Sequence, residues 1–464
     1  MKDHWKISAA VALLALATIG AGGARAQDAS VTAAGGLTLE AAEQEALGES
    51  PDYRKALAQE REAGWGQLDA LSSGFLPKLS IEGQHFFNQE LFNGSLDNYT
   101  ALSVQFPGSP SAITFPGIYP ETSLTLSARL PIFDGFKNLH QMDAADRRHE
   151  AAALMSDQAL LRLKEGVRLA YFKALASQLL SDMADQNVKT FDEHLRIVKD
   201  QLDNGQATKY DRLRVEVQLS EAQSGQIEAH DNLVLARMAL ARAMGLAKDE
   251  RPLTGTLPVV NGDQVLKALP DHYEEGTELK AARLESVRAE DLGASADSFW
   301  FPQLSLFGQY QWYNTPGYIL GNLDFNDYTS FQTDYFVGAS LKWDILDGGL
   351  SLAKANEAHE RAEQAKSDYR AAQLQAPYDF DLWKRRLISN VSLYQAKLTD
   401  VDKAKESVRL ATVGFKAGTK TTTDLLDAEL EEYRASAGLV QAQLNAWEAL
   451  INLELVTGKR WSHD

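Results

Sequence analysis

The sequence predicts an α+β membrane protein built from two repeats of one strand–helix unit, and three observations carry that prediction. The first is internal duplication. Ile132-Phe-Asp-Gly135 returns as Ile345-Leu-Asp-Gly348, and Asn204-Gly-Gln-Ala-Thr-Lys-Tyr-Asp211 returns as Ala417-Gly-Thr-Lys-Thr-Thr-Thr-Asp424. Both pairs are offset by 213 (345 − 132 and 417 − 204), so the stretch between them has kept its length. Phe75-Leu-Pro-Lys-Leu-Ser-Ile-Glu-Gly-Gln84 likewise returns as Phe301-Pro-Gln-Leu-Ser-Leu-Phe-Gly-Gln309. A repeat defines the building unit and so precedes other fold arguments. The second observation is four segments with period-two hydrophobicity, and the third is two helical stretches far longer than globular proteins use.

Taken in order, residues 1–26 read as a secretory signal: basic Lys2 and Lys6, an apolar stretch from Ile7 to Ile19, and an Ala24-Arg25-Ala26 cleavage site. The apolar stretch is too short for a bilayer anchor, and no later run reaches the roughly 18 uncharged apolar residues of a membrane helix. The chain has no cysteine, which leaves no disulfide and no lipidated N-terminal Cys. Its formal net charge of −18 deepens by two when the signal is removed. That balance argues against nucleic acid as a partner, which requires a basic footprint.

Residues 27–245 form the first repeat, 246–270 a linker holding Pro252, Gly255, Pro258 and Gly262, and 271–464 the second repeat. Each repeat opens with a helix, about 37–73 and 271–298, and Ser50-Pro51 has the form of a helix start. Strands are expected at about 77–90, 121–133, 302–314 and 334–346. Leu79, Ile81 and Gly83 alternate with Ser80, Glu82 and Gln84, and Leu304, Leu306 and Gly308 alternate with Ser305 and Gln309. Leu124, Leu126, Ala128 and Leu130 oppose Ser123, Thr125, Ser127 and Arg129, while Tyr335, Val337, Ala339 and Leu341 oppose Ser340 and Lys342. Such strands suit a soluble sheet packed on helices as well as a membrane barrel. Export and a length near that of tilted membrane strands favour the barrel. Four strands cannot close, since bacterial barrels need about eight or more, and open edges are not tolerated in lipid. The strands must be shared between chains, two giving eight and three giving twelve. Residues 90–121 and 314–334, rich in Gly, Pro, Asn and aromatics, read as exposed loops.

Residues 136–203 and 350–416 read as near-continuous helix, each reaching roughly 100 Å at about 1.5 Å per residue. Ala358, Ala362, Ala365, Tyr369, Ala372 and Ala376 recur at heptad spacing, a seam of small residues for close helix packing. Pro377 should kink or locally break the second of these helices. Shorter helices, about 210–244 and 424–456, return the chain.

These features together resemble the TolC family of outer-membrane efflux ducts: the paired strand–long-helix halves, the Pro-x-Leu strand starts, and Gly418-Thr-Lys-Thr-Thr-Thr-Asp-Leu-Leu-Asp-Ala428 at the second tip. The resemblance implies a homotrimer whose twelve-stranded barrel in the bacterial outer membrane continues as a twelve-helix α-barrel in the periplasm. It implies outer-membrane lipid, a periplasmic adaptor protein and an inner-membrane transporter of RND, ABC or MFS type as partners, with small molecules as cargo. A duct for type I protein secretion is the alternative within transport, and a periplasmic coiled-coil scaffold is the alternative outside it.

The candidate site lies at the two tips. Gly205 and Gly418 suit the left-handed residue that ends a helix, and Thr208-x-x-Asp211 and Thr421-x-x-Asp424 have the form of a cap with a first-turn carboxylate. Asp427, three residues after Asp424, can share its face. Under threefold symmetry the pair would make two rings of carboxylates that attract cations, the role the resemblance implies for them at a closed periplasmic entrance. The family's latch of Asp, Tyr and Arg maps onto Asp211, Phe415 and Lys420. Phe415 has no hydroxyl and Lys lacks the guanidinium fork. A weaker gate is therefore expected, its Asp211–Lys420 pair worth about 0–1 kcal/mol. The sequence has no His-Glu-x-x-His, P-loop, Gly-x-Gly-x-x-Gly or Gly-x-Ser-x-Gly. Its histidines are scattered, so no catalysis, cofactor or metal is expected.

Overall fold

The computed structural model describes residues 36–90, 101–104, 113–116, 118–313 and 331–461. The expected signal and most of the two expected loops lie outside the described residues. Helix α1 (Leu39–Glu49) starts at Thr38, whose side chain accepts from the Ala41 N–H. Helix α2 (Pro51–Phe75) starts immediately after it, with Ser50 accepting from the Tyr53 N–H and Pro51 in the first turn. The helix expected over 37–73 is thus two helices. Proline at 51 has no N–H to donate back into α1 and disfavours helical geometry at Ser50.

Six strands are described: β1 (Lys78–Glu90), β2 (Ala101–Val104), β3 (Ile113–Pro116), β4 (Ile118–Phe133), β5 (Gln303–Tyr313) and β6 (Gln332–Lys342). β2 and β3 pair with each other, and the rest form one antiparallel sheet in the order β1-β4-β5-β6. Its register gathers most of the apolar residues of the four strands on one face, with Phe86, Phe307 and Phe336 on the other. Ile81 lies opposite Leu126, Leu126 opposite Tyr310, and Tyr310 opposite Tyr335. Ala128, Gly308 and Val337 form another such row. Directly opposed residues share a face, so the other face carries Glu82, Thr125, Gln311 and Asp334. On the apolar face of the single chain Ile81 is 72% and Val337 82% exposed. β1 and β6 are each paired on one side only.

The strand expected over 334–346 ends at Lys342, because Lys342 pairs with Gln303, the first residue of β5. Pro302 precedes that residue and has no N–H to extend the ladder.

The helices α3 (Lys137–Asp203) and α7 (Leu350–Lys416) are 67 residues each, and α7 runs through Pro377 without a break. Helices α4 (Lys209–Ala243) and α8 (Thr422–Thr457) return alongside them, and α6 (Thr277–Ala296) packs against both α3 and α7. A 3-10 turn, Asp297–Trp300, leads from α6 toward β5. The junction after β4 is tight. Gly135 takes φ +72°, and a Cβ there would lie 2.7 Å from the Ser298 carbonyl oxygen.

The main core lies midway along the helices, where Tyr171 and Phe172 of α3 meet Phe380 of α7 and Trp447 and Leu450 of α8. The linker belongs to this core. It holds helix α5 (Gly262–Ala268) and buries Val260, Val265 and Leu269. The Tyr171 hydroxyl reaches the carbonyl oxygens of Leu37 at 2.8 Å and Thr254 at 2.6 Å. Beside it three fully buried charged side chains form a chain of ion pairs. Arg168 reaches Glu165 at 3.2 Å and Glu454 at 3.1 Å, its guanidinium stacked over Trp447. Arg460 approaches Glu165 at 3.1 Å and Glu43 at 3.0 Å.

Candidate functional site: the two helix tips

Both tips fold through the same local chemistry. Gly205 (φ +73°) and Gly418 (φ +74°) take the left-handed conformation that lets the chain leave the helix. Thr208 then caps α4 and Thr421 caps α8. Each hydroxyl accepts from the N–H three residues on, at 3.2 Å. Each aspartate reaches back to accept from the threonine N–H, Asp211 at 2.9 Å and Asp424 at 2.8 Å. These are complete capping boxes.

The caps hold both carboxylates charged. The hydroxyl and then the N–H of Thr208 pull Asp211 below the usual carboxylate range, with Arg214 adding to the effect. The Thr421 N–H and then its hydroxyl do so for Asp424, with Lys420 adding.

Asp427 has a different partner. The Arg214 guanidinium donates to its two oxygens at 3.2 and 3.3 Å and to the Thr423 hydroxyl at 3.3 Å. This contact joins the α3–α4 hairpin to the α7–α8 hairpin at their ends. Sequence reasoning missed Arg214, although the repeat contained the signal, since position 214 plus the offset of 213 is position 427. Leu426 secures the same junction by packing into the apolar cluster of Phe191, Val198 and Val215.

Phe415 packs on Ala411, Leu425 and Ala428 of its own hairpin. Lys420 lies across Gly414, where a Cβ would come within 2.5 Å of the Lys420 Cγ. Among the described residues Lys420 makes no ion pair with Asp211 inside one chain. The tips thus bring Arg214 to Asp427, while Asp211 and Asp424 are each held in their own turns.

The profile of the outer membrane efflux protein family matches residues 42–246 and 272–459, which is most of the chain. The chain belongs to the outer membrane efflux protein family. It is 26% identical over 347 residues to the alkaline protease secretion protein AprF of Pseudomonas aeruginosa, spanning 70% of this chain and 68% of that one. It is 25% identical over 185 residues to the outer membrane protein TolC of Vibrio cholerae, 40% of this chain and 41% of that one. Its fold is shared with the outer membrane protein VceC of Vibrio cholerae at a TM-score of 0.73 and 17% identity, covering 91% of this chain and 97% of that one. As an outer membrane efflux protein the chain is an outer-membrane channel that extends into the periplasm.

Proposed function

We propose that three copies of this chain form a passive export duct that carries small molecules delivered by an inner-membrane pump and a periplasmic adaptor, and that the duct is gated at the helix tips. The four-stranded sheet carries the assembly argument. Most of its apolar residues share one face, and among the described residues each edge strand is paired on one side only. In lipid those edges require neighbours, and three chains supply twelve strands. The long helices then take the lumen about 100 Å from the membrane, down to the charged tips. The chain supplies a route and a gate, with no catalytic step. Asp211, Lys420, Asp424 and Asp427 surround the entrance together with Phe415, and Lys420, which makes no ion pair among the described residues of its own chain, meets a neighbour.

Protein cargo is the second reading, favoured by the similarity to AprF, which is named for alkaline protease secretion. Conductance of the purified protein in a planar bilayer tests the duct. A small, cation-selective conductance is expected; failure to insert would refute the barrel. A deletion strain scored for drug sensitivity and for secreted protease separates the two cargoes.

A further inference from the structure

The geometry points to a binding site for a divalent transition-metal ion between α3 and α6, made by His140, Asp143 and Asp291. His140 and Asp143 stand three residues apart on the first turns of α3, so they share one face of it. Asp291 comes from the last turns of α6, which packs against α3. One ligand atom from each residue lies within 4.8 Å of the other two. Donors at about 2.0–2.2 Å from a common ion lie no more than about 4.4 Å apart. Small rotamer changes among the three side chains would close that difference.

A second observation is independent of this spacing. The Asp291 Oδ2 is shut off from solvent and accepts no hydrogen bond. A carboxylate oxygen buried without a donor is costly. Neither Asp143 nor Asp291 forms an ion pair among the described residues. The site thus sets two carboxylates beside an imidazole able to donate a lone pair.

One imidazole nitrogen and two carboxylate oxygens suit Zn2+, Co2+ or Ni2+. Mg2+ and Ca2+ prefer all-oxygen sites, and Cu+ prefers sulfur. Water would complete the coordination from the exposed Asp143 side. The placement also gives the ion a structural effect. α3 leaves β4, α6 leads into β5, and β4 pairs with β5. An ion here ties together the two helices that support adjacent strands. The second repeat has Ala353 and Asn356 at the positions equivalent to His140 and Asp143, so one site per chain is expected.

The test uses the full chain, made without a histidine tag, stripped with chelator and titrated with Zn2+ or Co2+ against a chromophoric competitor. One ion per chain is expected, with visible Co2+ bands of a low-coordinate site and no displacement by excess Mg2+. His140→Ala and Asp291→Asn should each weaken binding by at least about tenfold. Both should also abolish the rise in unfolding temperature that Zn2+ gives the unmodified protein. Asp143→Asn, at an exposed position, keeps the test decisive if a variant at a more buried position misfolds. Stoichiometry well below one, or undiminished binding in His140→Ala and Asp143→Asn, would overturn the site.

Discussion

Arg214→Gln is the most informative change at the tips, because it separates the two effects of one contact. The guanidinium is 35% and the Asp427 carboxylate 61% exposed, so solvent screens the pair. An exposed pair is worth about 0.2–1 kcal/mol, and three copies in a trimer sum to roughly 0.6–3 kcal/mol if all must part on opening. The closed state would then be weakened by about threefold to somewhat over a hundredfold, since about 1.4 kcal/mol is tenfold. Losing the arginine also leaves three Asp427 carboxylates uncompensated at the mouth. Single-channel recording in a planar bilayer should therefore show higher open probability together with stronger cation preference. Asp427→Asn breaks the same pair but removes the negative charge, so it should raise open probability and weaken cation preference. Opposite shifts in selectivity with parallel shifts in opening identify a latch that also sets the charge of the entrance. If Arg214→Gln changes neither quantity, the contact does not form at the mouth and the argument fails.

Other outcomes follow from the caps, the junction and the buried charges. Thr421→Ala should cost about 0.5–2 kcal/mol in the α8 start, read as faster amide exchange confined to the second tip with trimers intact. Gly135→Ala should impair folding more than Gly348→Ala. Both glycines have φ above +70°, but an added Cβ meets Ser298 and Phe301 only at Gly135; the yield of assembled protein in the membrane checks this. Burial, and then Glu454, push Glu165 up to about 7 from the ordinary 4.5. The folded chain thus holds a proton there more tightly than the unfolded one. The resulting stabilisation is complete below the unfolded value and is lost as pH rises through 7. The unfolding free energy should rise as pH falls from 8 to 5, by on the order of 1 kcal/mol per site, and Glu165→Gln should flatten that rise. A slope that persists in the variant would assign the effect to another group.

What was legible in the sequence was local or periodic. The strands showed through alternation, the long helices through continuous pattern, and the tip turns through Gly followed by Thr-x-x-Asp. What escaped depended on contacts between distant positions. Glu165 and Arg168 look like an ordinary solvated i, i+3 pair until Glu454, nearly three hundred residues on, closes over them. His140 and Asp143 are unremarkable until α6 brings Asp291 alongside. β6 stops early because its neighbour β5 starts late, which β6 alone does not encode. Asp424 could be read either as a helix-start residue or as a pore carboxylate. The capping box establishes the first role, and the second rests on assembly.

The Arg214–Asp427 contact joins positions that correspond under the internal duplication. In a ring built from six identical half-length chains, the same residue would occupy both positions. Two arginines or two aspartates would then face each other at every such junction, and the ends would repel. Opposite charges can meet there only after one copy has changed independently of the other, as two segments of one polypeptide can. Divergence of the two halves thus gives an attraction that a ring of identical halves would lack, and exchanging the two tips wholesale would reverse the pair while preserving it.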